Sequence, residues 1–161
     1  ISAHGAGIGD SIGYLAVGAI GYPIGTLLVL KIVDRMERKR LILIATFVWL
    51  IGMLLVGSYA NTFVIYLGSF FASLALGSYL QVAYTYTAEA FPTQARSTGF
   101  ALSDGLGHAG GALGAILLPV IIAHTSFFTG FAFIGFTGFL AGIVAQCGPK
   151  TTGRNLESVS S

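Results

Sequence analysis

The sequence predicts an all-α integral membrane protein with five spanning helices, and three observations carry that prediction. Only 9% of the residues are charged against 55% hydrophobic, and the mean hydropathy is +0.84. A soluble domain carries about 25% charged residues, so this chain has too few to cover a water-facing surface. Five apolar runs, near 11–33, 41–60, 62–87, 97–123 and 127–147, reach spanning length. A helix needs roughly 20 residues to cross a ~30 Å hydrocarbon core. None of the runs alternates as a strand does, and a helix satisfies its own backbone hydrogen bonds in lipid. The 23 glycines, loop signals in a soluble protein, mark close helix–helix packing when they fall within such runs.

The net charge of +2 does not point to nucleic acid once its distribution is considered. Lys31, Arg35, Arg38, Lys39 and Arg40 lie between the first two spans, Arg96 between the third and fourth, and Lys150 and Arg154 after the fifth. Every cation thus falls on one side, which the positive-inside rule makes cytoplasmic. The expected topology has the N-terminus outside, the tail 148–161 in the cytoplasm and the plasma membrane as the site. The basic loop is expected to face anionic headgroups and nearby carboxylates. Cys147 has no partner for an intrachain disulfide and reads as a packing residue. The N-terminus lacks the positive region of a signal peptide, and the chain opens on Ile, as a processed chain or a fragment would.

Taken in order, the first span carries Gly9, Gly13, Gly21 and Gly25 on a four-residue ladder, a ridge that admits a second helix closely. Pro23 removes a backbone hydrogen bond and is expected to kink the span, as a static bend or a working hinge. The second span is apolar throughout, with Trp49 near its middle, and is expected to face lipid in part. In the third, Ser69, Ser73, Gly77, Gln81 and Thr85 form a small or polar stripe that should face protein or water. Gln81, Tyr79 and Tyr84 are the candidate substrate contacts, since amides and phenols orient polar ligands; helix packing and interface anchoring are the rival readings.

The fourth span holds Asp104 and His108, spaced i, i+4 on one helical face. A carboxylate inside a membrane needs a partner or a task, and imidazole changes charge in the physiological range. The pair is the candidate for proton coupling; a structural pair or a partner of the cytoplasmic-side latch is the alternative. Ser103, Gly107, Gly111 and Ala115 form a further close-packing ladder beside it. Gly105, Gly107 and Gly110 match G-x-G-x-x-G, but no strand precedes them, so no dinucleotide site follows. Pro119 predicts a second kink, and the Phe- and Gly-rich fifth span reads as scaffold and lipid contact. His4, Asp10 and His124 have no ligand-like spacing, so no metal is expected. No nucleophile–base pair emerges either, so the chain does not read as an enzyme.

The third and fourth spans are joined by YTYTAEAFPTQARSTG, Tyr84 to Gly99. Pro92 stops the helix before it and extends Phe91, Thr93 or Ser97 is expected to cap the next helix, and Glu89 and Arg96 are close enough to pair with each other or with neighbouring loops. The run Glu89, Phe91, Pro92, Thr93, Arg96, Gly99 resembles the connection between the tenth and eleventh helices of major facilitator superfamily transporters. The nearest branch holds the sugar porters and the organic-ion or aromatic-acid carriers. DRMERKR, Asp34 to Arg40, is similar to the superfamily's D-R-x-G-R-K/R loop, with Glu37 in place of the Gly. The tail resembles the P-E-T-K-G-R-x-L-E ending of sugar porters at Pro149, Thr151, Gly153, Arg154, Leu156 and Glu157, with Lys150 for the Glu and Thr152 for the Lys.

The resemblance implies helices eight to twelve of a C-terminal six-helix bundle, with the seventh helix and the N-terminal half of the transporter as missing partners. It implies that Asp34, Arg35, Arg38, Glu89 and Arg96 form a charge network holding the cytoplasmic side shut. The implied activity is secondary active transport of a small polar or anionic solute across the bilayer by alternating access, as a proton symporter, without cofactor. A facilitative uniporter of sugar-like solutes and a non-transporting membrane scaffold are the competing readings.

Overall fold

The computed structural model describes residues 8–151, with side chains from Ile12 onward. Five helices follow one another: α1 (Ile8–Ile32), α2 (Arg38–Ser58), α3 (Thr62–Ala90), α4 (Arg96–His124) and α5 (Phe127–Val144), the last running into a 3₁₀ turn, Ala145–Cys147. Each is long and apolar enough to cross a membrane, and the chain is an integral, multi-pass membrane protein.

The helix ends follow local chemistry. After α1, the N–H groups of Arg35 and Met36 both return to the Ile32 carbonyl, at 3.0 and 3.1 Å. Glu37 then caps α2 with φ −59° and ψ 129°, a conformation open to any residue, so Glu stands at this turn without strain. Tyr59, at φ 48°, closes α2 in the left-handed region. Asn61 opens α3 by accepting the Val64 N–H at 2.9 Å, and Ser126 opens α5 by accepting that of Thr129 at 3.1 Å. α3 stops at Phe91, which is extended ahead of Pro92. The expected cap of α4 by Thr93 or Ser97 is not made: the N-cap is Ala95, without a side-chain bond, and the Thr93 hydroxyl instead accepts from Arg96 at 3.5 Å.

Glycines set the packing. α1 lies on α3, where a Cβ on Gly21 would stand 2.5 Å from the Phe70 carbonyl oxygen and one on Gly25 would strike that of Leu74. Ser73 and Gly77 of the α3 stripe meet α1 at Gly18 and Tyr22, so this half of the stripe is a helix–helix seam. Gly9 lies in α1, but its surroundings are outside the described side chains. α2 packs on α3 through Gly52 against Ala72 and Gly68 against Val56, and on α5 through Gly135, Gly138 and Gly142. α2 is therefore a central helix. Trp49 is half-buried, its indole N–H toward the Ile134 carbonyl at 3.4 Å, and the exposed side of α2 carries Ile44, Phe47 and Ile51. Cys147, expected to pack, is exposed beyond α5.

α4 is different. It touches its neighbours in its first third, where the Phe91 ring covers Gly99 and Tyr84 reaches Phe100 and Asp104, and near its far end, where its Ile122 and Leu118 cover Gly130 of α5. Between them, Gly105, Gly107, Gly110, Gly111 and Gly114 have nothing within 4 Å of a Cβ position. The expected close-packing ladder of α4 thus faces open space among the described residues.

Candidate functional site

Two arrangements are built from the candidate residues. The first lies at the basic end. Arg38, at the start of α2, is buried, and its Nη2 stands 3.2 Å from Glu89 Oε1 and 3.6 Å from Asp34 Oδ1. Its Nη1 also donates to the Val33 carbonyl. The Glu89 carboxylate is 21% exposed and Asp34 86%, so the pair with Glu89 is the one that water screens least. Among the described residues, Arg96 and Arg35 are not within ion-pairing distance of a carboxylate. Glu89 turns to α2 and away from Arg96, because the Phe91–Pro92 break carries Arg96 onto another helix. The Nε of Arg38, Oε2 of Glu89 and Nε of Arg96 are buried without a hydrogen-bond partner.

Beside this pair the chain end is strapped down, an arrangement the sequence reading missed. Lys39 Nζ donates to the carbonyls of Gln146 and Gly148, at 3.0 and 2.7 Å. Gln146 Nε2 returns to the Lys39 carbonyl at 2.8 Å, Tyr86 donates to the Pro149 carbonyl at 3.1 Å, and the Thr151 N–H reaches Glu37 Oε1 at 3.2 Å. The signal was present in the orphan carbonyls that every helix C-terminus leaves and in the basic loop nearby. Lys150 and Thr152 depart from the family's tail, yet the contacts made up to Thr151 use backbone groups of the tail or Gln146. The rest of the tail motif, Gly153 to Glu157, lies outside the described residues.

The second arrangement is the space between α3 and α4. Tyr84 donates to Asp104 Oδ1 at 3.3 Å, and His108 Nδ1 stands 3.5 Å from Asp104 Oδ2 and 2.9 Å from the Asp104 carbonyl oxygen. A carbonyl only accepts, so Nδ1 bonds to it as the donor. His108 is 76% exposed and Asp104 37%, in a cleft of about 710 Å³ that Tyr79, Tyr84, Thr87, Phe100, Asp104 and His108 line. Asp104 stands eight residues into α4 from Arg96, roughly 12 Å at 1.5 Å per residue. A second, apolar compartment of about 400 Å³ lies among α2, α3, α4 and α5, lined by Trp49, Leu76, Ile134 and the hydroxyl-bearing Thr46 and Thr137. Tyr79, Gly107 and Gly111 line both.

Of the candidates, then, Tyr79, Tyr84, Asp104 and His108 are brought together, and Gln81 is exposed and lines neither compartment. Phe100 and Trp49 enter the site unannounced by sequence, since an aromatic in an apolar run carries no mark of which way it faces. Among the described residues no cluster of His, Cys, Asp and Glu is fit to hold a metal. His4 and the Asp10 side chain lie outside the described residues, and His124 ends α4.

Residues 1–157 match the Major Facilitator Superfamily. YyaJ of Bacillus subtilis (strain 168), named as a metabolite transport protein, is 28% identical over 135 residues, covering 84% of this chain and 30% of that protein. The synaptic vesicle 2-related protein of Xenopus laevis is 28% identical over 138 residues, covering 84% of this chain and 25% of that protein. The chain spans under a third of the length of these curated relatives. With the match extending over nearly its whole length and five apolar helices in the order described, the chain belongs to the Major Facilitator Superfamily.

Proposed function

We propose that this chain is part of the C-terminal half of a secondary transporter of the sugar-porter and organic-ion branch, contributing helices eight to twelve. It moves a small polar solute by alternating access, coupled to proton movement. The observation that carries the reading is the cleft between α3 and α4, where Tyr84, Asp104 and His108 meet within hydrogen-bonding or ion-pairing reach inside a spanning segment. A carboxylate and an imidazole so placed bring two acid–base groups into contact inside a span, and a phenol donor orients the carboxylate. The Arg38–Glu89 pair supports a latch at the basic end, and the distribution of Lys and Arg supports a cytoplasmic place for that end. The transport label on one relative supports the activity.

A test is solute accumulation by the full-length protein in liposomes under an imposed pH gradient. One polarity of gradient should drive accumulation, and Asp104→Asn should abolish it while solute exchange persists. Accumulation unchanged in Asp104→Asn, or insensitive to a proton ionophore, sinks proton coupling. A facilitative carrier is the second reading, favoured by the Tyr84–Asp104 bond if that bond is structural. A protein giving no flux at all would be a membrane scaffold.

A further inference from the structure

We propose that the bundle holds a second site, a pocket at the end away from the basic loop, that takes a small neutral aromatic alcohol. The ligand's hydroxyl lies among Tyr14, Ser69 and Ser73, and its ring lies against Trp49 and Phe131. The site stands apart from the transport reading: the pocket shares Trp49 and Leu76 with the apolar compartment and no residue with the Asp104 cleft.

Hydroxyls without partners mark the place. Ser and Thr inside a helix can return their hydroxyl to the carbonyl one turn back, and farther along α3 Ser78, Thr85 and Thr87 do so at 2.8–2.9 Å. Ser69 and Ser73, one turn apart on α3, make no such bond, and the hydroxyl of Tyr14 meets no partner either among the described residues. Tyr14 is only 5% exposed and lines the pocket with both serines. Its ring packs edge-on against Tyr66, with centroids 4.8 Å apart. Gly18 of α1 leaves Ser73 Oγ uncovered, since a Cβ there would stand 3.0 Å from it. Hydroxyls held in a spanning segment cost free energy until something bonds to them.

The lining then selects the ligand. No charged side chain lines the pocket, so an ion entering it would lose its water without a partner. A pure hydrocarbon would leave the three hydroxyls as they are. A ligand hydroxyl both donates and accepts, and so meets them in either sense. The rest of the wall is apolar and includes Trp49, Met53 and Phe131, faces and a thioether that pack well on a ring. The volume is about 290 Å³. A cavity of about 150 Å³ accommodates benzene, so there is room for one ring and a short hydroxyl-bearing arm.

The experiment measures equilibrium dialysis of labelled probes against the full-length protein in nanodiscs, with empty nanodiscs subtracted. The probes are 2-phenylethanol, propylbenzene, phenylacetate and 2-phenylethylammonium, alike in size and different in the end group. The alcohol should bind saturably, and the other three at least about tenfold more weakly. Tyr14→Phe combined with Ser73→Ala should weaken the alcohol at least about tenfold and tighten propylbenzene, a reversal that a misfolded protein would not give. Should that variant fold poorly, Ser69→Leu, which fills the space, should remove binding of both. Asp104→Asn should leave the alcohol's affinity unchanged. Absence of saturable binding, as for hydroxyls that hold water only, overturns the proposal. So do charged probes that bind as well as the alcohol, an unaltered order of probes in the double variant, and retained binding in Ser69→Leu. Loss of the alcohol in Asp104→Asn would put it in the α3–α4 cleft and overturn the second site while leaving the transport reading standing.

Discussion

Arg38 is a buried cation met by a carboxylate from another helix, and the environment of that pair sets its worth. Removing one partner leaves the other charge uncompensated in a site of low polarity, which costs more than the pair contributes when intact. Arg38→Ala should therefore destabilise the purified protein by about 2–4 kcal/mol. Arg38→Ala with Glu89→Ala should cost less than the sum of the single changes, since the orphaned charge is gone. Chemical denaturation in micelles would check this, and strict additivity would contradict the pairing. The sequence pointed to Arg38 and Glu89 as members of one network. It left open whether Glu89 pairs with Arg96, seven positions along, and that choice was made by the break at Pro92, which puts the two on different helices. Arg35 and Arg96 show the limit of reading a network from charges alone: both sit in the right motif, and neither has a carboxylate within reach among the described residues.

At the scale of elements, the glycines divide into two kinds that look alike in sequence. Gly21, Gly25 and Gly77 bring α1 and α3 together, while Gly107 and Gly111 of α4 border empty space. Gly25→Leu should force the Leu74 carbonyl away and cost at least about 3 kcal/mol, read as a lowered denaturation midpoint. Gly110→Ala meets nothing and should gain about 0.5–1 kcal/mol through helix propensity. Equal effects at the two positions would mean that α4 is packed as tightly as α1. A ladder of small residues states that something approaches closely; it does not state whether that something is a helix, a ligand or a part of the protein beyond the described residues. For the same reason the α3 stripe was expected as a whole to face protein or water, whereas its Ser73 and Gly77 form the seam with α1 and its Gln81 is exposed outside both compartments.

At the scale of the molecule, α1, α3, α2 and α5 form a continuous packed series, strapped at the basic end by Lys39, Tyr86 and Glu37 through backbone groups of residues 146–151. α4 is held in its first third and near its far end. The strap rests chiefly on Lys39, whose ammonium serves two carbonyls, and a charged hydrogen bond contributes about 1.5–3 kcal/mol. Lys39→Ala should raise amide exchange over residues 146–151 and speed proteolysis at the tail while leaving α4 unchanged. Unchanged protection of the tail would assign the strap no weight. Motion of α4 relative to the packed series would alter the Asp104 cleft without disturbing the glycine seams.

The sequence by itself determined that the chain crosses a membrane, how many times, where its cations gather and which ionisable pair lies inside a span. These follow from composition and one-dimensional spacing, because lipid imposes its terms on each helix separately. Only the tertiary structure decided which carboxylate Arg38 meets, that the tail is fastened through its backbone, that Gln81 stands outside the cleft and that Trp49 borders the apolar compartment beside it. Those depend on the rotation of each helix about its axis and on the distance between axes. Both are fixed by packing among residues far apart in the chain, which helical periodicity along one run does not encode.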